Sequence, residues 1–332
     1  MRSRLAVWRR IGAPSHVLRW LREGVRCVWE TSPPPPFFHG VSSFTPEQRS
    51  WASTERDRCL LTGAWTRASP EGLRYVSRAF IVEHNGKLRL VLNFRYLNTF
   101  ERKRSCRFES LHSFRRSMQQ DDWTWSIDLS DAYHHIGIYP PDQHYFTFGL
   151  ETSEGVQYFS CSALSFGWTR SPQYFTDVLK PVVAYLRNQS LARDGLAALG
   201  LALPSSPTPT PSATPSPTPR QAFPLRVLPW LDDFAFFVQA DRRQQAIEAR
   251  DFSFSVFDAL GVKRNPLKGQ AEPSHKLDDH LGYGIDLSLG RFLLTARRER
   301  KLRSAAHSIL GSAARERRLV TARPRRYSKN TF

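Results

Sequence analysis

The chain is poor in the features that mark several common protein classes. Its 332 residues include four cysteines, Cys27, Cys59, Cys106 and Cys161. They stand far apart, with no CxxC pair and no His/Cys cluster at zinc spacing, which excludes a disulfide scaffold and a zinc-finger framework. We read them as reduced packing residues of an intracellular protein, cytoplasmic or nuclear. No apolar run approaches the roughly 18 residues of a membrane span, so no membrane partner is expected. Neither G-x-G-x-x-G nor G-x-x-x-x-G-K-[ST] occurs, which removes two common phosphate-binding loops. Acidic residues are scarce, 30 Asp and Glu against 48 Lys and Arg, and the net charge of +18 points to a polyanionic partner. Arginine heavily outnumbers lysine, so a compositional bias of the source genome is a competing origin of that charge. The stretch Met1 to Arg22 has no acid at all. Its composition matches a mitochondrial presequence, although an ordinary surface helix is the stronger reading in so basic a chain.

What is present is a chain 40% hydrophobic and 12% aromatic, enough for one large or two ordinary domains with cores. Residues 1–69 read as an N-terminal extension, with a helical pattern around Val17, Leu18, Trp20 and Leu21 and an extended proline run from Pro33 to Pro36. From about residue 73 the pattern alternates. Tyr75–Val82 and Leu88–Phe94 flank Asn85-Gly86, a strong hairpin signal. Trp123–Ile138 reads as a strand entering a short helical turn, and Gln157–Phe159 as another strand. Ser171 and Pro172 predict a helix start, with Ser171 as N-cap, and the apolar stripe of Phe175, Val178, Leu179 and Val182 continues to about Arg187. Residues 204–219 are a Pro/Thr/Ser tract that cannot bury a core. We place a disordered insertion at about 198–222 inside a folded domain, since a long loop adds only about 0.6 kcal/mol of closure entropy per doubling. A helix is predicted over Arg242–Leu260 with Gly261 as its stop, then a second hairpin over 281–294. The last segment, 296–332, reads as a basic helix and tail.

The motif with the most chemistry is Trp230-Leu231-Asp232-Asp233. A doubled aspartate before the apolar run Phe234–Val238 is expensive to bury without partners. Carboxylates from two adjacent strands can hold two Mg²⁺ about 3.5–4 Å apart, the geometry of in-line phosphoryl displacement. Asp128, in the strand-like Trp125–Leu129, is the natural second contributor. An Asp-Asp turn at a strand start is the simpler alternative for the pair alone.

Six segments in order resemble the reverse transcriptases of retroviruses and retrotransposons, over about residues 75–295. They are GKLRLVLNFRYLN (86–98), WSIDLSDAYHHIGI (125–138), ALSFGWTRSPQYF (163–175), LPWLDDFAFFV (228–238), LGVKRNPLKG (260–269) and HLGYGID (280–286). GAPSHVLRWLREGV and PPPP near the N-terminus are similar to segments of DIRS-type retrotransposons. The resemblance implies an α+β fold: right-hand polymerase fingers and palm over 70–295, an antiparallel palm sheet with helices packed on it, and a truncated thumb at 296–332. With about 35 residues after residue 295, where the resemblance ends, the chain is expected to lack a full thumb and an RNase H domain.

The resemblance also implies roles. Asp128 and Asp232 would bridge two Mg²⁺, which Mn²⁺ can replace, with Asp233 a peripheral ligand. Arg89 would pair with triphosphate oxygens, a task suited to its planar fork, or is an exposed cross-strand charge. Lys268 would be the general acid for departing pyrophosphate, or a solvated loop lysine. Tyr133 would be the steric gate that selects dNTPs, or a packed aromatic with a bonded hydroxyl. Leu129, Phe166 and Gly167 would sit against the nucleotide, and glycine allows close backbone approach. Arg95, Asn98, Trp230, Leu281, Gly282 and Tyr283 would contact primer and template. The implied partners are an RNA template, a DNA primer, their RNA–DNA hybrid and dNTPs. Asp131 reads as a turn cap, and His134 and His135 as structural. The chain departs from the family at Glu83-His84, where lysines are usual, at Asn93 for aspartate, at Ser165 for proline and at Trp230 for tyrosine. These departures carry a second reading, a palm-fold remnant that binds RNA and DNA without synthesis.

Overall fold

The computed structural model describes residues 1–84, 86–106, 108, 109, 111–188, 199 and 225–321. The Pro/Thr/Ser tract, Asn85 of the first hairpin turn and the tail from residue 322 lie outside the described residues. Helices are α1 (Leu5–Arg10), α2 (Ser15–Glu23), α3 (Pro46–Leu61), α4 (Arg95–Phe100), α5 (Leu111–Ser117), α6 (Ser171–Asn188), α7 (Arg243–Leu260) and α8 (Ala296–Thr321). Strands are β1 (Phe37–Phe38), β2 (Trp65–Arg67), β3 (Tyr75–His84), β4 (Lys87–Leu92), β5 (Trp123–Asp128), β6 (Thr147–Thr152), β7 (Gly155–Cys161), β8 (Arg226–Trp230), β9 (Asp233–Val238), β10 (Lys276–His280), β11 (Tyr283–Asp286) and β12 (Arg291–Leu294).

Three sheets organise the described residues. A three-stranded antiparallel sheet of order β5-β9-β8 carries the aspartates. The apolar run that follows them explains its place. Phe234, Phe236, Phe237 and Val238 are wholly buried, so both faces of β9 are covered, as a continuous apolar strand requires. Trp125 stacks on Phe236 at 5.3 Å, and Phe257 of α7 meets Phe234 edge-on at 5.2 Å. Each such buried aromatic contributes about 1.5–3 kcal/mol. Pro229, which cannot donate to a ladder, lies in β8 at the sheet's edge, where proline is tolerated.

A six-stranded sheet of order β1-β3-β6-β7-β2, with β4 paired to β3, forms the second layer. Its β3–β4 hairpin runs in register from Ala79↔Leu92 to His84↔Lys87, as the alternation predicts. The third sheet, β10-β11-β12, contains the second predicted hairpin, Tyr283–Asp286 against Arg291–Leu294, and adds β10, which the sequence reading did not assign. Strand β6 and helix α3 were likewise unassigned.

Residues 1–69, read as an extension, pack into the main core through Trp8, Val17, Leu21, Val25, Ala52 and Cys59. The Trp8 indole donates to the Leu260 carbonyl at 3.1 Å, satisfying an orphan group at the end of α7. Strands β1 and β2 join the six-stranded sheet. One local expectation is corrected. Ser171 belongs to α6, and its hydroxyl donates to the Ser165 carbonyl at 2.8 Å, while the Arg170 carbonyl accepts from Tyr174. The first turn is thus tied to the preceding loop and Ser171 is not its N-cap.

Candidate active site

Antiparallel pairing sets Asp128, the last residue of β5, opposite Asp233, the first of β9. Asp232 lies in the two-residue turn between β8 and β9, whose other member, Leu231, has a φ of 56°. A non-glycine residue in this left-handed region costs about 1–2 kcal/mol. The turn is held by a bond from the Leu129 N–H to the Asp232 carbonyl at 2.9 Å. Two strand ends and one strained turn therefore bring three carboxylates to one edge of the sheet.

The segment after α7 closes the site from the other side. It runs beside β5, with Ser130 N–H to Lys263 O at 3.0 Å, Asn265 N–H to Asp128 O at 2.8 Å and Ser126 N–H to Gln270 O at 2.9 Å. Gly269, φ 78°, makes this approach possible, because a Cβ there would stand 2.7 Å from the Ser126 carbonyl oxygen. The side chains follow. Lys268 Nζ lies 3.2 Å from Asp128 Oδ1, and Asn265 Nδ2 donates to the same oxygen at 3.2 Å. Asn265 had no assigned role in the sequence reading; the Asn-Pro turn signal at 265–266 was its only trace.

Electrostatics separate the carboxylates. Burial pushes the Asp232 carboxyl above its ordinary value, and the Asp128 charge adds to this. Asp233 is pushed up to about 6 by burial, then by the charges of Asp232 and Asp128. Among the described residues, no three His, Cys, Asp or Glu side chains stand together as a ready-made metal cage. The donor set nonetheless fits a hard divalent cation. It is all oxygen, holds more carboxylates than the single lysine beside it can neutralise, and leaves positions for substrate, as Mg²⁺ sites completed by phosphates do.

The carboxylates open onto a cleft of about 660 Å³ lined by Arg89, Asp128, Leu129, Tyr133, Phe166, Asp232 and Lys268. Arg89 on β4 is exposed and faces it. Tyr133 is buried, with its ring 4.8 Å from Phe166 and 5.6 Å from Phe175. Burial, followed by the Asp232 charge, raises its hydroxyl to about 12. Phe166 is 70% exposed and walls the cleft beside that ring. Helix α3 adds Trp51, Glu55 and Arg58 to the far wall, which the sequence reading did not anticipate.

Several assigned residues also have structural partners within the chain. The Leu129 side chain is buried at 2% exposure, so it packs in the core and only its backbone serves the site. Gly167 has φ 98°, and a Cβ on it would stand 2.2 Å from the Leu92 carbonyl oxygen. Its close approach is to the chain itself. Asn98 is spent on the same loop, donating to Gly167 O at 2.8 Å and accepting from Thr169 N–H at 2.9 Å. Asn93 accepts from the Arg95 N–H at 3.3 Å, a turn bond that an aspartate could also make. Arg95 is exposed outside the cleft lining. Asp131 stands at the N-cap of the turn 132–135, where its carbonyl accepts from His134 N–H at 2.8 Å, while its carboxylate makes no cap bond and accepts from Arg58 at 2.9 Å. His135 accepts from the Lys263 N–H at 3.0 Å, in keeping with a structural role.

Trp230 rests on Phe108 at 5.4 Å. Leu281 (φ 56°) and Gly282 (φ 81°) form the turn between β10 and β11. Arg298 of α8 donates to Leu281 O at 2.8 Å and covers the Tyr283 ring at 4.0 Å. None of these four lines the aspartate cleft, but the charge of Asp279 in β10 reaches Asp233.

Comparison with known proteins gives a consistent result. The reverse transcriptase (RNA-dependent DNA polymerase) family matches residues 81–283. A foamy viral protease–reverse transcriptase in complex with double-stranded DNA is similar in structure, with TM-score 0.59 and 16% identity over 83% of this chain and 40% of that one. The native protease–reverse transcriptase of prototype foamy virus gives TM-score 0.54 and 15% identity over 79% of this chain and 28% of that one. The chain thus spans less than half the length of these structures. No curated protein matches it. With more than half of its length matched and the polymerase fold present, the chain belongs to the reverse transcriptase family.

Proposed function

We propose that this chain is the RNA-directed DNA polymerase of a retrotransposon, adding dNTPs to a primer 3′-OH on an RNA template. The observation that carries the reading is one cleft holding Asp128 and Asp232 together with Arg89, Tyr133, Phe166 and Lys268. Asp128 and Asp232 would hold two Mg²⁺ or Mn²⁺, with Asp233 as the outer ligand. The bound ions would lower the pKa of the 3′-OH and neutralise charge on the triphosphate. Arg89 would bind triphosphate oxygens from the fingers side. Tyr133, held between Phe166 and Phe175, would set the floor under the sugar. Lys268 would turn from Asp128 toward the leaving group and deliver a proton; its 63% side-chain exposure leaves it room to turn. The segments near the N-terminus that are similar to DIRS-type elements favour that subclass.

The second reading, binding of RNA and DNA without synthesis, draws on the same lysine. Asp128 is already neutralised by Lys268 and supported by Asn265. Primer extension on an RNA template with Mg²⁺ or Mn²⁺ separates the two. Synthesis by the wild type that vanishes in Asp128→Asn and in Asp232→Asn supports the polymerase. Synthesis that survives either change sinks the metal assignment, and binding without extension under both metals supports the remnant.

A further inference from the structure

We infer that Arg58 of α3 is a positioning residue of the polymerase site: it clamps Asp131 and so fixes the turn that joins Asp128 to Tyr133. The inference rests on the proposed polymerase reading and gives a helix of the N-terminal segment a part in nucleotide selection.

The turn between Asp128 and Tyr133 decides how the tyrosine ring stands against the carboxylates. Backbone bonds hold it at both ends. Leu129 N–H donates to the Asp232 carbonyl at 2.9 Å and Ser130 N–H to the Lys263 carbonyl at 3.0 Å, while Ile136 N–H donates to the Tyr133 carbonyl at 3.2 Å. Between them stands Asp131, with a φ of 47°. A left-handed residue other than glycine is strained, and it persists where its surroundings hold it. Arg58 reaches it there, donating from Nη1 to Asp131 Oδ1 at 2.9 Å.

Arg58 is itself aligned. Its Nε and Nη2 donate to the two carboxylate oxygens of Glu55, one helical turn back, at 2.8 and 2.7 Å. This two-pronged pairing fixes the guanidinium plane and leaves Nη1 aimed at Asp131. Helix α3 is anchored on its other side. A capping box of Thr45 and Gln48 closes its start. Arg49 pairs with Glu151 at 3.3 Å, and Arg56, 4% exposed, pairs with Glu154 at 2.9 Å, both on the β6–β7 hairpin. A braced helix thus carries a braced side chain to one strained residue of the site. Glu55, Arg58, Asp131 and Tyr133 all line the cleft that holds Asp128 and Asp232.

Stability does not explain the clamp. The side chains of Arg58 and Asp131 are 39% and 49% exposed, and ion pairs so open to water contribute little to a fold. The clamp instead sets the direction of the chain that enters Tyr133. The ring meets Phe166, itself largely exposed, so this side of it is not braced by core packing. Once released, Asp131 can relax out of the left-handed region and carry the ring away from its place beside the carboxylates. A misplacement of about 1 Å at a reacting site can cost about 100-fold.

The test compares affinities for a dNTP and the matching rNTP on an RNA template with a dideoxy-terminated primer in Mg²⁺, so that no synthesis is needed. Arg58→Ala should lower the preference for the dNTP about tenfold. Asp131→Asn should lower it alike, since asparagine tolerates the left-handed turn but loses the charge. The double variant should be no worse than either single one, as expected of residues acting through one contact. Amide exchange over residues 130–136 should quicken in all three. Arg56→Ala is the control for a merely structural role on the same helix: it should lower Tm more than Arg58→Ala and leave the preference unchanged. A preference retained in Arg58→Ala, additive losses in the double variant, or an equal loss in Arg56→Ala would each overturn the inference. So would a wild type that binds both nucleotides equally. A wild type that prefers the dNTP and fails to extend an ordinary primer would remove the proposed synthesis and leave the clamp standing.

Discussion

Lys268 and Asp128 form an ion pair at 3.2 Å across the junction between the β5 strand end and the loop after α7. The pair is asymmetric, with the aspartate side chain 10% exposed and the lysine 63% exposed. An exposed lysine gains little from such a contact, about 0.2–1 kcal/mol, so its value to the fold is small. Its place beside Asp128, a carboxylate proposed to hold the metal ions, is the stronger reason for it. If Lys268 donates a proton to the leaving group, Lys268→Leu should slow single-turnover extension by about 100-fold. Lys268→Arg should fail to restore the rate, because a guanidinium keeps its proton. Rapid-quench extension of one nucleotide reads both. A full rate in Lys268→Arg would mean that only positive charge is needed.

The carboxylate cluster predicts a pH effect with a definite sign. Asp233 is raised to about 6 in the folded protein by burial and by the charges of Asp232 and Asp128. A carboxyl raised on folding binds protons more tightly in the native state. Metal-free stability should therefore fall as pH rises from about 4, the unfolded value, to about 6, and level off above. Mg²⁺ competes with those protons, so its stabilising shift in Tm should grow between pH 5 and pH 7. Asp233→Asn should remove most of the slope and raise metal-free stability at pH 7. Calorimetry in EDTA and in Mg²⁺ measures all three. A metal-free stability that rises across this range would contradict the crowding of charge at the site.

The loop carrying Phe166 rests on Gly167. Its φ of 98° and the 2.2 Å approach that a Cβ would make to the Leu92 carbonyl leave no room for another residue. Gly167→Ala should cost about 2–4 kcal/mol, from backbone strain and overpacking. Asn98→Ala removes two bonds to the same loop, at 2.8 and 2.9 Å, and should cost about 1–2 kcal/mol. Denaturant unfolding gives the magnitudes. Both variants should also raise the KM for dNTP, because Phe166 loses its support.

Much of this architecture was legible in the chain because its signals are local. Asn85-Gly86 between alternating runs set the β3–β4 register, and the apolar Phe234–Val238 after two aspartates set β9. What stayed hidden depends on distant partners. Strand β6 reads Thr-Phe-Gly-Leu-Glu-Thr, without strong alternation, and exists because β3 and β7 flank it. Asn265 reaches Asp128 across 137 positions of chain. The integration of residues 1–69 rests on Trp8 meeting the end of α7, 252 positions away. Helix α3 is different. Thr45-Pro46-Glu47-Gln48 forms a complete capping box, a local signal present in the sequence that the charged face of the helix obscured. At the site, residue types announced the carboxylates, whereas the Gly167 contact and the Asn98 clamp needed the folded chain.

Tyr133 separates two accounts of sugar selection. Its ring is clamped between Phe166 at 4.8 Å and Phe175 at 5.6 Å, and its raised hydroxyl lies within reach of the Asp232 charge. If the ring excludes a 2′-OH by shape, Tyr133→Phe should keep the preference for dNTPs, since the occupied volume is nearly unchanged. Tyr133→Val should then lower that preference by about 100-fold, the order by which a shaped pocket rejects one added hydroxyl. If the hydroxyl selects by hydrogen bonding, Tyr133→Phe alone should lose the preference. Tyr133→Val also leaves a cavity beside Phe175 and should lower stability by about 2–4 kcal/mol. The ratio of kcat/KM for dNTP and rNTP is therefore the readout, because a folding defect that merely reduces the active fraction cancels from it. Discrimination retained in Tyr133→Val would remove Tyr133 from the role and move it to Phe166, the other ring in that wall.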